Sequence, residues 1–240
     1  MTEIPCLLLP GTLCDARLFA PLLAVWKSLG NGTPHSVADL HQLTANPLPW
    51  WRTQLSGLPP QFDVLGFSLG GILALQLLGI APARVRRLTL VASNPCAATA
   101  MHRERVNDQL ALWHKEGPAA VASQMLDQAS PNANHEVRQL VQDMACNTPL
   151  SAFLAQGEIN ATRLDGRPRL QSWPGPVLLI SGAEDPWCGA DKQLMARSAR
   201  SDALWQELPH CGHYLPLENP QQLGRLTHNF YRTPDAHQGQ

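Results

Sequence analysis

Residues 62–78 read FDVLGFSLGGILALQLL, and no other stretch of the chain narrows its possible folds as much. Phe62 to Phe67 is an apolar run of strand length, and Ile72 to Leu78 is the almost wholly apolar pattern of a buried helix. Between them stands Gly66-Phe67-Ser68-Leu69-Gly70, a G-x-S-x-G junction. A strand that passes straight into a helix through such a junction holds its serine on a strained turn, with glycines where neighbouring backbone packs close. A buried strand followed at once by a buried helix belongs to a parallel sheet covered by helices on both faces.

The rest of the chain repeats this alternation. Ile4 to Leu9 is a continuous apolar run ended by Pro10 and Gly11, as a central strand requires. A helix is predicted next, with Asp15 as its N-cap, Leu18, Leu22, Val25, Trp26 and Leu29 at helical spacing, and Gly30 as its stop. Strands are further predicted at Ser36–Leu40, Leu88–Ala92, Val177–Ser181 and Ala203–Leu208, and a short helix at Pro49–Leu55. Between Pro95 and Pro174 no strand pattern occurs; Val106, Leu110 and Trp113 mark one helix, and Val137, Leu140, Val141 and Met144 another. An insertion there reads as a helical cap over the carboxyl ends of the strands, where open α/β sheets place their ligands. The organisation expected is therefore a core of residues 1–95 and 174–232, a cap of 96–173 and a flexible polar tail of 233–240.

Composition removes whole classes of function. With 44% hydrophobic and 15% charged residues, the 240-residue chain is globular rather than disordered. A formal net charge of −1 leaves no global field for nucleic acid or an anionic membrane. The run Ile4 to Leu9 follows Glu3 and is too short for a signal segment, so a soluble, cytoplasmic protein is expected. The six cysteines, at 6, 14, 96, 146, 188 and 211, lack CxxC spacing, so no metal site is expected and buried thiols are the default reading.

A serine can act as a nucleophile only if a base takes its proton and an acid orients the base. Asp185 lies at the end of the predicted strand Val177–Ser181, in Gly182-Ala183-Glu184-Asp185-Pro186, and His213 follows the last predicted strand in His210-Cys211-Gly212-His213. Serine, acid and histidine thus occur in the order this turn chemistry requires. Glu184 is the rival acid and His210 the rival base; Asp185 and His213 are preferred. The oxyanion would take one N–H from Leu69, after the serine, and one from Thr12, on the loop after the first strand.

Together LLLPGTLCDARLF, GFSLGG, ISGAEDP and HCGHYLPLENP resemble the α/β-hydrolase superfamily over nearly the whole chain. Within it the chain is similar to compact esterases near the pimeloyl-[acyl-carrier-protein] methyl ester esterases and the 3-oxoadipate enol-lactonases. The resemblance implies an α/β-hydrolase fold and cofactor-free cleavage of an ester or lactone, free or held on a carrier protein. Two departures stand out: Pro10-Gly11 replaces the family's usual His-Gly, and the leading β-hairpin common in the family is expected to be absent. Acyl transfer, C–C bond cleavage and ligand reception without turnover remain open alternatives, since fold does not fix chemistry.

The cap and the strand-end loops are expected to supply an apolar pocket wall, with Leu13, Trp113, Leu126, Phe153 and Trp187 as candidates. Trp50 and Trp51 could wall the same pocket or pack structurally, and Cys14, Cys188 and Cys211 could line it. The Arg84, Arg86, Arg87 cluster reads as solvated surface.

Overall fold

The computed structural model of the chain describes residues 4–30 and 32–232; the predicted tail, 233–240, lies outside them. Strand β1 (Cys6–Leu9) is followed by α1 (Ala20–Ser28), β2 (His35–Val37), α2 (Leu48–Ser56), β3 (Phe62–Phe67), α3 (Leu69–Ile80) and β4 (Val85–Val91). Five helices come next without a strand: α4 (Ala100–Glu116), α5 (Pro118–Ala129), α6 (His135–Cys146), α7 (Leu150–Thr162) and α8 (Arg167–Ser172). Then come β5 (Val177–Gly182), α9 (Ala190–Ala199), β6 (Leu204–Leu208), the short α10 (Leu215–Glu218) and α11 (Pro220–Arg232).

The six strands form one sheet in the order β2-β1-β3-β4-β5-β6, and every pairing is parallel. Strand alternation splits the core in two. Cys6, Leu8, Leu65, Phe67, Leu178 and Ile180 face α1 and α11, where Leu22, Trp26, Leu223 and Tyr231 are buried. Leu7, Leu9, Val64, Leu88, Leu90 and Leu179 face the other way, onto Trp50 and Trp51 of α2 and onto α3. Helix α3 is buried at nine of its positions, which accounts for its apolar sequence. The inserted helices extend the first of these clusters through Val121, Leu126, Val141 and Phe153. Among the described residues no helix is long and apolar enough to cross a membrane.

Two local expectations are corrected. The helix predicted from Asp15 begins as a separate 3-10 turn, Ala16–Phe19, with Asp15 Oδ1 accepting from the Arg17 N–H at 2.9 Å. The α-helix starts only at Ala20, because Pro21 lacks an N–H and its ring would clash with the carbonyl four residues earlier. The arginine cluster is not solvated surface: Arg87 is buried, and Arg86 Nη2 lies 2.6 Å from the buried carboxylate of Asp63. Arg84 donates to the carbonyls of Leu55, Leu58 and Pro59.

Chain order reverses direction across the sheet between β1 and β3, since β2 lies on one side of β1 and β3 on the other. At such a switch point the loops leaving two neighbouring strands part, and a crevice opens at the strands' carboxyl ends. Here those loops carry Thr12 and Ser68.

Candidate active site

Ser68 joins β3 to α3 with φ +52° and ψ −114°, a conformation non-glycine residues rarely hold. The flanking glycines are dictated by sterics. A Cβ on Gly66 would lie 2.5 Å from the Gly70 carbonyl oxygen, and one on Gly70 would run into the carbonyl oxygen of Leu9. The turn is thus pressed against the end of β1, and Ser93 Oγ, just after β4, holds it from the other side by donating to the Ser68 carbonyl at 3.0 Å.

His213 sits on the loop between β6 and α10, with Nε2 2.9 Å from Ser68 Oγ and Nδ1 2.8 Å from Asp185 Oδ2. Asp185 follows β5, and its Oδ1 accepts the backbone N–H groups of Trp187 at 2.8 Å and Cys188 at 3.0 Å. Burial alone would raise the Asp185 carboxyl, but the charge and hydrogen bond of His213 and the two amides together hold it below the usual carboxylate range. An ionised Asp185 can only accept, so it fixes the proton on Nδ1 and leaves the Nε2 lone pair facing the serine hydroxyl. The three side chains form one hydrogen-bonded chain through which a serine proton can pass to imidazole.

The rival pair lies outside this chain. His210 has a side chain 93% exposed, and its nearest acid is Glu184 at 3.7 Å, whereas the side chain of His213 is 3% exposed. The His213 loop is instead braced from the inserted helices. Ser130, just past α5, accepts the N–H groups of His213 and Tyr214 at 2.8 and 3.1 Å and donates to Glu218 at 2.6 Å; Glu218 also accepts the Gly212 N–H at 2.7 Å.

Leu69 is the first residue of α3, so its N–H is among those a helix leaves without an internal partner. The Thr12 N–H likewise meets no acceptor among the described residues. Its neighbour Leu13, also at positive φ, donates its N–H to Gln156 Oε1 of α7 at 3.0 Å, and Asn160 Nδ2 donates to Thr12 Oγ1 at 3.1 Å. Helix α7 thereby fixes the loop after β1.

The cleft over Ser68 and His213 is walled in part by Phe153 and Trp187. Leu13, Trp113 and Leu126 stand behind that wall: Leu13 and Leu126 are fully buried in the core, and Trp113 stacks on Phe153 with ring centroids 4.7 Å apart. Trp50 and Trp51 pack structurally in the second core, on the opposite face of the sheet. Cys14, Cys188 and Cys211 are all buried, Cys188 alone of the three borders the cleft, and no disulfide joins the described cysteines. Burial and the Asp185 charge push the Cys188 thiol well above its ordinary value. Its sulfur and donor atoms of Asp185 and His213 lie within 4.8 Å of one another, but both imidazole nitrogens are already engaged.

The wall is more polar than the apolar one expected, because α4 contributes His102, Arg105 and Gln109 and the end of α7 adds Asn160 and Arg163. The signal for them was present: 102, 105 and 109, and likewise 153, 156, 160 and 163, share a helical face by spacing.

A family model described as the alpha/beta hydrolase family matches residues 7–226. A pimeloyl-[acyl-carrier protein] methyl ester esterase of Nitrosomonas europaea is 30% identical over 175 residues, covering 69% of each chain. Among solved structures, a thermophilic esterase from Thermogutta terrifontis superposes with a TM-score of 0.80 at 20% identity, over 96% of this chain and 90% of its own. The enol-lactonase from Burkholderia xenovorans LB400 gives a TM-score of 0.81 at 18% identity, over 96% of this chain and 92% of its own. The structural likenesses carry the fold, and the sequence matches show that this chain belongs to the alpha/beta hydrolase family.

Proposed function

We propose that the chain is a serine hydrolase of carboxylic esters or lactones that works through an acyl-enzyme. The observation that carries this reading is the buried hydrogen-bonded chain from Ser68 Oγ through His213 to Asp185, set beside the Thr12 and Leu69 amides. Ser68 Oγ attacks the substrate carbonyl carbon while His213 Nε2 takes its proton. The oxygen, now anionic, is held by the N–H groups of Thr12 and Leu69, whose fixed dipoles stabilise charge that develops only in the transition state. Collapse expels the alkoxide, which takes the proton back from His213. Water then attacks the acyl-enzyme with His213 as base, releasing the acid and restoring Ser68. Asp185 stays ionised throughout and steadies the imidazolium. The scheme draws on no metal or cofactor.

The name of the Nitrosomonas europaea relative supports an acyl methyl ester as the substrate class, and that of the Burkholderia xenovorans neighbour keeps lactones within it. The inserted helices, as a cap over the strand ends, would set which acyl group is accepted. The test is hydrolysis of p-nitrophenyl butyrate by the wild type and by Ser68→Ala. Turnover that disappears in the variant supports the reading; turnover that survives the loss of the hydroxyl overturns it.

A further inference from the structure

Most arginines that bond across the described surface have an acid to meet. Arg17, Arg86, Arg103, Arg138, Arg167 and Arg200 each lie within 2.7 Å of a carboxylate oxygen. Arg163 does not, although it is only 6% exposed and lines the same cleft as Ser68. Its guanidinium donates from Nε to the Cys96 carbonyl at 3.0 Å and from Nη1 to the Asn160 carbonyl at 2.8 Å, both neutral acceptors. Nη2 lies 2.6 Å from His102 Nε2, and because a guanidinium only donates, that nitrogen must accept. Nη1 and Nη2 each keep a further hydrogen.

Arg105 stands on the same cleft wall, 4.8 Å above the ring of Trp187, and it too has no carboxylate partner among the described residues. Among the described residues no Asp or Glu lines the cleft. A buried cation left without an anion is costly, and an arriving anion relieves that cost. Burial together with Arg163, Arg105 and Lys192 pulls His102 down to about 4, so the imidazole stays neutral and the field around it is positive.

Resting on the esterase reading above, we propose that the cleft selects esters bearing a second, anionic group, a carboxylate, received by Arg163 and Arg105. A planar guanidinium fork matches a carboxylate in two parallel hydrogen bonds, and enclosure makes such bonds stronger than they are in water. Arg163 is held from behind by two carbonyls and a histidine, so little side-chain entropy is lost when the anion arrives. Arg105 sits over the Trp187 ring, which in turn packs edge-on against the His213 ring, so the anion site and the reacting centre share one wall.

The test uses isosteric pairs at pH 7.5. On the acyl side, mono-p-nitrophenyl glutarate and adipate are compared with p-nitrophenyl valerate and hexanoate; on the alcohol side, 4-acetoxybutanoate is compared with butyl acetate. In at least one arm the anionic member is expected to have kcat/KM on the order of 10- to 100-fold above its neutral twin. That arm then says which side of the scissile bond carries the carboxylate. Arg163→Gln and Arg105→Gln should each drive the ratio towards one; because the readout is a ratio within one protein, a general loss of activity does not imitate it. If Arg163→Gln does not fold, Arg105→Gln on the half-buried face of α4 decides. Calorimetric binding of glutarate against valerate to Ser68→Ala gives a readout without turnover, so absent esterase activity would sink the proposed function while leaving the anion site to be judged by binding. No preference for the anion in either arm, or a ratio unchanged in both arginine variants, overturns the proposal.

Discussion

Ser68, Asp185 and His213 come from three separate strand-end loops, yet adjoining donor and acceptor atoms lie within 2.9 Å. Groups that act as a unit fail as a unit, so His213→Ala is expected to lower kcat by as much as Ser68→Ala, on the order of 10⁶-fold, and the double variant by little more. His210→Ala should stay near wild type, because that imidazole points into solvent. Steady-state kinetics on one aryl ester checks all four proteins, and a large loss in His210→Ala with near-normal His213→Ala would reverse the assignment. The cationic surroundings of His102 make a second expectation. Its folded-state value is depressed from 6.5 to about 4, so as pH falls through 6.5 the unfolded chain gains a proton that the folded chain refuses. Stability contributed by the neutral form is complete above pH 6.5 and is lost progressively between 6.5 and 4. Urea midpoints at pH 7.5 and 4.5 should therefore differ less in His102→Gln than in wild type, and an equal difference would contradict the assigned shift.

The loop that carries His213 has little regular structure of its own and depends on the end of α5. Ser130→Ala would take one of its two donors from Glu218, leave the Tyr214 amide short of an acceptor and leave the His213 amide on the Ala129 carbonyl alone, a cost of about 1–3 kcal/mol with a fall in kcat larger than any change in KM. Urea unfolding and kinetics check this together; wild-type values in both would show that the brace is not needed. This dependence was not legible in the sequence, because Ser130 lies 83 residues from His213 and nothing local marks a serine as a partner of a distant loop. The strand-to-helix turn at Ser68 was legible for the opposite reason: steric demand falls on Gly66 and Gly70 themselves, and the apolar runs on both sides are contiguous. The inserted helices lay between these cases. The helix at 135–146 showed its periodicity and the one at 100–116 was marked by Val106, Leu110 and Trp113, whereas 150–162 mixes small residues with a face shared between core and cleft, and its pattern is weak.

The arginine cluster shows what a single sequence hides. Arg86 looks like surface until its partner is known, and Asp63 is buried on a neighbouring strand 23 residues away. Asp63→Asn should cost about 3–5 kcal/mol by removing the charge of a fully buried carboxylate that a guanidinium meets at 2.6 Å, and KM should not move, since the pair lies apart from the cleft. Denaturant unfolding with kinetics at a permissive temperature tests both halves of that statement. Its helix α11 is also tied to the sheet by Arg87, which donates to the Tyr231 carbonyl at 2.8 Å, and by the Tyr231 hydroxyl, 2.9 Å from Thr89 Oγ1. The sheet so braced holds three loops in register, and on the function proposed above this register makes Ser68 a nucleophile. Intact-protein mass spectrometry after exposure to a fluorophosphonate, followed by peptide mapping, tests this. One adduct per chain on the peptide containing Ser68, absent in both Ser68→Ala and His213→Ala, is the expected result; an adduct on another residue, or ester turnover in a protein that forms no adduct, would contradict it.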